Sequence, residues 1–270
     1  MQVADASSWM AGAGSWVVRV RRRPEAQARL ICFPAAGGTA SLFHAWGQSL
    51  PDTIEVCAVE FPGHGLRLRE PTLASVAALV EGAARGLSPY LDRPFALFGH
   101  SMGALVAFEL ARWLRRHGQP APFALFVSGS AAPHTPRRQE VLHDLPDAEL
   151  IRALERLDGT PREVLYDEDL MELLLPVIRA DLRLFETHRH AAEPPLGCPI
   201  TAFGGATDRV VSPAALGAWR EQTSARFALH MLPGDHFFLN TARGPLLTLL
   251  LRELRSATRP HAGGDRPSAS

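Results

Sequence analysis

The sequence predicts an α/β fold in which a mostly parallel central β-sheet is flanked by helices. Apolar runs of strand length alternate with segments of helical periodicity, as parallel strands joined by crossover helices require. The pattern Gly-x-Ser-x-Gly at 99–103 stands between one of these strands and one of these helices. About 70 residues between Gly129 and Cys198 have helical periodicity and no convincing strand, which predicts a helical lid inserted after a core strand.

Seven apolar runs are predicted to form the sheet, and residues 15–255 are predicted to be a single domain with the lid over about 133–192. Residues 1–14 are small and polar, without the apolar run of a signal peptide, and we expect them to be flexible. Residues 256–270 are rich in Pro, Gly, Arg and Ser, a composition that favours a disordered tail. The predicted strands are 16–20, 30–33, 56–61, 95–98, 123–128, 200–203 and 227–232.

Composition and charge exclude several classes of function. The chain has 28 basic and 28 acidic residues and no lysine, so neither nucleic acid nor a membrane surface is predicted as a partner. No stretch approaches the ~20 apolar residues of a membrane span. The three cysteines, Cys32, Cys57 and Cys198, lie in or beside strand-like runs and are predicted to be buried thiols. Because neither a disulfide framework nor metal-ligand spacing is present, we expect a cytoplasmic protein without a metal site.

The residues around Ser101 predict a nucleophile elbow. Residues 95–98 form an apolar run typical of a buried strand, and residues 104–111 carry apolar side chains at helical spacing. The turn between them is so sharp that only glycine fits beside the backbone, at Gly99 and Gly103, and the serine hydroxyl is left exposed at the sheet edge. Ser101 is therefore the predicted nucleophile.

A serine hydroxyl is a weak nucleophile and needs a histidine base, and with an elbow of this kind the triad follows the chain order serine, acid, histidine. His236 is the predicted base because it lies in a glycine-containing loop between a strand-like run and a helix-like segment. Such a loop, at the carboxyl end of a strand, is where an α/β sheet places its active groups. The histidines well beyond the elbow are His143, His188, His190, His230, His236 and His261.

Asp208 is the predicted acid, since it follows the sixth predicted strand and precedes His236 in the chain. The alternative role for an aspartate at this position is to cap the next helix. Ser212 and Pro213 can begin that helix themselves, which leaves Asp208 available to orient the histidine.

Two other aspartates compete for the same role. Asp235 is adjacent to the base, and a side chain in that position cannot easily turn back to bond the Nδ1 atom of His236. Asp181 lies in a predicted helix further upstream and is the weaker candidate.

The oxyanion formed during attack needs two backbone amides. One comes from the residue after the nucleophile, which is Met102, and the other from the loop after an early strand. The strand-like run 29–33 is followed by such a loop, where Gly37 and Gly38 let the backbone approach a ligand closely. Ala36 is the predicted second donor.

Taken together, the ordered motifs resemble those of type II thioesterases, the stand-alone editing hydrolases of bacterial polyketide and nonribosomal peptide assembly lines. The elbow alone fits any α/β-hydrolase, whereas the ordered set is more specific and extends from Trp16 to Leu254. The motifs that carry the resemblance are Phe33-Pro34-Ala35-Ala36-Gly37-Gly38, Phe61-Pro62-Gly63, Gly99-His100-Ser101-Met102-Gly103-Ala104, Leu157-Asp158-Gly159-Thr160-Pro161, Leu175-Pro176-Val177-Ile178-Arg179-Ala180-Asp181 and Gly234-Asp235-His236-Phe237-Phe238.

The resemblance implies the α/β-hydrolase fold and a thioester substrate held on the phosphopantetheine arm of an acyl or peptidyl carrier domain. It implies that Ser101 attacks the carbonyl while His236 accepts the proton and Asp208 orients the imidazole. No cofactor is implied, because the pantetheine belongs to the partner. We expect a monomer that meets carrier domains of a synthase.

The chain departs from the family pattern at four positions. The family usually has arginine where His64 stands, an aromatic residue at Ala35, glycine at Asp235 and often tyrosine near His188. Two alternative functions also stay open. A carboxylesterase or related serine hydrolase would share the triad without needing a carrier protein, and a non-catalytic binding protein would use the scaffold alone.

Overall fold

A computed structural model describes residues 15–136, 141–157, 159–160 and 162–258 of the 270-residue chain. The predicted flexible N-terminus, residues 1–14, and most of the predicted tail lie outside the described residues. Seven strands form one sheet: β1 (Val17–Arg19), β2 (Ala28–Phe33), β3 (Ile54–Val59), β4 (Phe95–His100), β5 (Ala124–Ser128), β6 (Ile200–Gly205) and β7 (Phe227–Leu232). All seven predicted strands are therefore present.

The sheet has the strand order β1-β3-β2-β4-β5-β6-β7. Strand β1 pairs with β3 in the antiparallel direction, and every other pair is parallel. The carboxyl ends of β4, β6 and β7 therefore point to the same edge of the sheet, which is the edge where open parallel sheets bind ligands.

The helices lie on both faces of the sheet. Helices α1 (His44–Ser49), α2 (Val76–Leu87) and α3 (Met102–Arg116) follow β2, β3 and β4, respectively. An insertion of three helices follows β5. The remaining elements are α4 (Asp147–Leu157), α5 (Arg162–Leu165), α6 (Glu168–Thr187), α7 (Pro213–Gly217), α8 (Phe238–Thr241) and α9 (Arg243–Thr258).

The side chains of β2 alternate between two apolar clusters. Leu30 and Cys32 pack with residues of α1 and α9, whereas Ile31 and Phe33 pack with residues of α2 and α3. All four are fully buried, as expected for a parallel strand covered by helices on both faces. The continuous apolar run that predicted this strand thus reflects burial on both sides.

Helix α9 continues beyond the predicted end of the domain. We predicted a disordered tail from Ser256, but the helix extends to Thr258, so that boundary was wrong by three residues. The polar composition of this segment gave no sign of helix, yet Ala257 packs against the same cluster as α9. The last turn of the helix thus contacts the core through Ala257.

The predicted helical insertion lies between β5 and β6 and consists of α4, α5 and α6. It has a small apolar cluster of its own, separate from the two clusters beneath the sheet helices. The buried members of this cluster are Leu150, Leu154, Leu165, Met171, Leu175, Ile178 and Leu182, and Ala36 packs against them. The insertion therefore contacts the loop that follows β2.

The segment after α6 is held against α3 by charge. Glu193 forms ion pairs with Arg112 at 2.7 Å, with Arg115 at 2.8 Å and with Arg116 at 2.5 Å. These hydrogen bonds lower the pKa of Glu193 to about 2, although burial acts in the opposite direction.

The described part of the chain contains no helix with the length and apolar character of a membrane span.

Candidate active site

Ser101 stands in a strained turn between β4 and α3. Its φ of 53° makes it the one non-glycine residue with positive φ in the part of the chain that the structure describes. Its amide donates to the carbonyl of Ser128 at the end of β5 over 2.8 Å. Serine adopts this backbone conformation at a cost, and such strain is typical of the elbow that exposes a nucleophile.

Two glycines make the elbow possible because other backbone segments pass through the space of a Cβ atom. A Cβ on Gly99 would lie 2.1 Å from the carbonyl oxygen of Gly103. A Cβ on Gly103 would lie 2.2 Å from the carbonyl oxygen of Phe33 and 2.4 Å from that of Pro34. The loop after β2 therefore lies directly against the start of α3, two residues from Ser101.

His236 lies beside the serine, as predicted. Its Nε2 atom is 3.2 Å from Oγ of Ser101, and its Nδ1 atom is 2.9 Å from Oδ2 of Asp208. The His236 ring is buried, so its two nitrogens are committed to these two partners. The three predicted triad residues are thus joined in one hydrogen-bonded chain.

Asp208 has a side chain that is fully enclosed by protein. Its Oδ1 atom accepts from the amides of Val210 at 2.7 Å and Val211 at 3.2 Å, which leaves Oδ2 for the histidine. Burial raises the pKa of Asp208, but the hydrogen bond with His236 and the two amides outweigh it, and the net pKa is lowered. The carboxyl therefore stays ionised near neutral pH. Ser212 caps the next helix by accepting from the Ala215 amide, as predicted.

Backbone hydrogen bonds hold the acid loop to the histidine loop. The amide of Ala206 donates to the carbonyl of Leu232, and the amide of Thr207 donates to that of Gly234. A Cβ on Gly205 would lie 2.0 Å from the carbonyl oxygen of Asp235, so glycine at the end of β6 permits this close approach. These contacts fix the separation of Asp208 and His236.

The competing aspartates do not contact the base. Oδ1 of Asp235 accepts from the amide of Phe237 at 2.9 Å. Asp181 lies on α6, where its Oδ2 atom accepts from the Gly37 amide and bonds His64, each at 2.8 Å. Asp181 is therefore buried beside the loop after β2, a position that helical periodicity alone did not reveal.

The other candidate histidines of the described chain have different partners. His143 bonds Glu186, His230 bonds Glu253, His188 contacts Glu109 and His190 contacts Arg112. His188 and His190 are both half-buried against α3. His261 lies outside the described residues. Within the described chain, no group of three or more metal-binding side chains comes together.

His100 is a site residue that we did not predict. It is fully buried, its Nδ1 atom is 3.0 Å from Oγ of Ser128, and its ring lies 5.2 Å from the ring of His236. Burial and the nearby His236 hold the pKa of His100 well below its usual value. A neutral ring therefore packs beneath the base. The sequence feature that could have identified His100 as a site residue is its position next to Ser101 in the Gly-x-Ser-x-Gly pattern.

The predicted oxyanion donors lie on the two backbone segments that meet at the elbow. Met102 begins α3, and Ala36 is in the loop whose first residues touch Gly103. Among the described residues, neither the Met102 amide nor the Ala36 amide has a protein hydrogen-bond acceptor. Two unpaired amides beside a strained serine have the chemistry needed to stabilise a negative oxygen.

The three cysteines lie in the core, away from this chain of hydrogen bonds. Cys32, Cys57 and Cys198 are free and buried, as predicted. Burial raises the pKa of Cys57 to about 12 and that of Cys198 to about 11. These thiols stay protonated near neutral pH, so serine rather than cysteine has the geometry and the activation of a nucleophile here.

Comparison with known proteins gives one family. The sequence model of the thioesterase domain family matches residues 28–256. A protein of Brevibacillus parabrevis, named linear gramicidin dehydrogenase LgrE, is 43% identical over 244 residues, which are 89% of this chain and 93% of that protein.

Two solved structures share the fold and much of the sequence. RedJ-Thioesterase from the prodiginine biosynthetic pathway in Streptomyces coelicolor is 43% identical with a TM-score of 0.78, and the match covers 86% of this chain and 88% of that one. The type II thioesterase BorB from the borrelidin biosynthetic cluster is 38% identical with a TM-score of 0.83, and the match covers 91% of this chain and all of that one, 100%.

Proposed function

The chain belongs to the thioesterase domain family, and from that premise we propose that it is a type II thioesterase that removes stalled or aberrant acyl groups from carrier domains. The observation that carries the proposal is the hydrogen-bonded chain from Ser101 through His236 to the enclosed Asp208. The substrate is an acyl thioester on the phosphopantetheine arm of an acyl or peptidyl carrier domain of a polyketide or nonribosomal peptide synthase.

In the first half of the proposed reaction, Oγ of Ser101 forms a bond to the thioester carbonyl carbon while Nε2 of His236 takes the hydroxyl proton. Asp208 holds the imidazole in the tautomer with hydrogen on Nδ1 and stabilises the imidazolium. The tetrahedral intermediate collapses, the C–S bond breaks, and the leaving sulfur takes the proton from His236.

In the second half, water attacks the acyl-serine ester. His236 accepts a proton from that water and returns it to Oγ of Ser101 when the C–O bond breaks, which releases a free carboxylic acid. The amides of Met102 and Ala36 stabilise the oxyanion in both halves. Losing one such donor typically costs ~10²–10³ in turnover, so the backbone at Ala36 matters as much as a side chain.

The proposed reaction needs no metal or redox cofactor, and we propose that the protein works as a monomer in the cytoplasm. Three unpaired, buried thiols favour a reducing compartment. The Brevibacillus relative is named a dehydrogenase, whereas the hydrogen-bonded Ser101, His236 and Asp208 of this chain support acyl transfer.

The experiment that tests the proposal compares acyl-phosphopantetheinyl carrier proteins bearing acetyl, propionyl and longer chains with the matching acyl-pantetheines and p-nitrophenyl esters. Ser101→Ala is the matched control. Faster Ser101-dependent release from the carrier than from the mimics is the expected result. Turnover of aryl esters without activity on the carrier would favour a small-ester hydrolase, and a protein inert toward every substrate would favour a binding protein.

A further inference from the structure

The loop after β2 contains a tight turn with Ala36 and Gly37 at its centre. The amide of Gly38 donates to the carbonyl of Ala35 at 2.9 Å, and Gly37 has a φ of +69°. Because Ala36 is not among the residues with positive φ, this is a type II turn, whose third position favours glycine. The amide of Ala36, the proposed oxyanion donor, belongs to the peptide that enters this turn, so the position of the turn determines where that N–H lies.

A buried ion pair from two distant elements holds the middle of this turn. Oδ2 of Asp181 accepts from the Gly37 amide at 2.8 Å and from Nε2 of His64 at 2.8 Å. The side chains of Asp181 and His64 are only 7% and 2% exposed. One carboxylate oxygen thus joins α6, the loop after β3 and the turn after β2.

His64 is a cation in this arrangement. Its Nδ1 atom lies 3.0 Å from the carbonyl oxygen of Pro62, and its Nε2 atom faces the Asp181 carboxylate. Both partners can only accept, so both ring nitrogens must carry hydrogen. Burial acts to lower the pKa of His64, but the hydrogen bond and charge of Asp181 outweigh it, and the net pKa is raised.

Helix α6 is seated on the same turn by an apolar contact. A Cβ on Gly37 would lie 2.7 Å from Cγ1 of Ile178, which stands three residues before Asp181 and therefore on the same helix face. The end of the loop is bound separately, because Oε1 of buried Glu60 accepts from the Ala40 amide at 3.1 Å. The turn is thus held at its centre by Asp181 and at its exit by Glu60.

We propose that Asp181 and His64 are positioning residues for the oxyanion donor: their buried contact holds the Gly37 amide and so anchors the turn whose first peptide carries the Ala36 amide close to Ser101. This inference rests on the proposed function only in taking the Ala36 amide as a donor to the oxyanion. It makes the Asp181 end of α6 a fixed part of the site rather than a moving lid.

Asp181 accepts from the N–H of the peptide between Ala36 and Gly37, whereas the Ala36 N–H belongs to the peptide before it. In a type I turn this middle peptide is turned over relative to a type II turn, which would point the carbonyl of Ala36 at the Asp181 carboxylate, where two acceptors repel each other. Asp181 therefore selects the type II turn and anchors the backbone one peptide beyond the proposed donor. A buried ion pair adds little net stability compared with apolar residues of the same volume, so the value of this pair lies in the geometry that it imposes.

The test uses the full chain and a p-nitrophenyl ester, together with the rate at which a fluorophosphonate labels Ser101. Asp181→Asn and His64→Gln each lower kcat about 10–100-fold and slow labelling in parallel, with KM changed by less than about threefold, because the donor is misdirected rather than lost. The double variant is no worse than the poorer single one, since both act through the same contact.

Arg179→Met is the matched control on the same helix. Arg179 binds the carbonyls of His143 and Leu145 and the carboxylate of Asp147, so it braces the insertion without touching the turn. We expect its kcat to stay within about threefold of the parent value. An equal loss in Arg179→Met and Asp181→Asn would overturn the proposal, because general loosening of the insertion would then explain both.

The variant His64→Arg distinguishes a positioning role from a merely structural one, because only the positioning role predicts a change in the pH dependence of kcat. Arginine keeps the cation at every accessible pH, so we expect this variant to have a kcat near that of the parent and to lack the alkaline loss of activity that we expect of the parent above the raised pKa of His64. The charged groups facing His64 are Asp181 and Glu60, while neighbouring Arg67 is paired with Glu70. The same alkaline limb in both proteins would overturn the inference.

The rate at which the fluorophosphonate labels Ser101 distinguishes a failure of the proposed hydrolase function from a failure of the positioning role. If the parent protein is not labelled at Ser101, the proposed hydrolase function fails. If the parent is labelled and Asp181→Asn is labelled at the same rate, the hydrolase stands and the positioning role fails.

Discussion

Oδ2 of Asp208 lies 2.9 Å from Nδ1 of His236, and Oδ1 of the same carboxylate is occupied by two backbone amides. This division leaves His236 one oxygen to bond, which fixes the imidazole plane and aims Nε2 at Ser101. The orientation of the base is therefore set by the loop after β6 as much as by the loop that carries the histidine.

Asp208→Asn is expected to lower kcat on a p-nitrophenyl ester by about 10⁴, because an amide N–H facing Nδ1 forces hydrogen onto Nε2, where it cannot accept from Ser101. Asp235→Asn is the matched control, since Asp235 bonds only the Phe237 amide. We expect its kcat within about threefold of the parent value. A larger loss at Asp235 than at Asp208 would show that the acid has been assigned to the wrong residue.

Ala36→Pro removes the amide hydrogen of the proposed oxyanion donor without forcing a new backbone. Proline is favoured at the second position of a type II turn, which is the position of Ala36. We expect kcat to fall ~10²–10³-fold with little change in KM. Ala36→Gly keeps the N–H and should keep most of the activity. Equal kcat values for the two variants, with circular dichroism unchanged, would exclude Ala36 as the donor.

Gly103→Ala is expected to destabilise the fold by about 2–4 kcal/mol, because its Cβ would lie 2.2 Å from the Phe33 carbonyl oxygen and only backbone movement could relieve the clash. Gly217→Ala is the control: Gly217 has a helical φ of −60° and open space around its Cβ position. Urea denaturation should show that Gly217→Ala is neutral or gains up to about 1 kcal/mol. A tolerated Gly103→Ala would mean that the β2 loop can withdraw from the elbow.

Glu193→Gln is expected to lower the free energy of unfolding at pH 7 by about 1–2 kcal/mol, after allowance for its partial exposure. The folded-state pKa is lowered to about 2 from an ordinary 4.5, so the stabilisation is fully present above pH 4.5 and is lost as the pH falls toward 2. Urea titrations from pH 7 to pH 3 should show the gap between parent and variant closing. Exposed Glu172→Gln is the control, and a gap that does not depend on pH would contradict the assigned cause.

Local sequence patterns identified all seven strands and the elbow, because apolar runs and a glycine-flanked serine encode structure over a few residues. They also indicated Ser101, Asp208 and His236, since each follows a recognisable strand. Helical periodicity located the insertion between β5 and β6. Boundaries were less accurate where packing decided them, as at the end of α9.

Tertiary structure alone decided what Asp181 does. In the sequence it is one acidic residue in a helix, 144 positions from Gly37 and 117 from His64. No periodicity or spacing links residues so far apart, because only the folding of the insertion onto the loop after β2 brings them within hydrogen-bond distance. The sequence by itself determined which residues could do chemistry, whereas the packing of α6 decided that the Gly37 amide is held by Asp181.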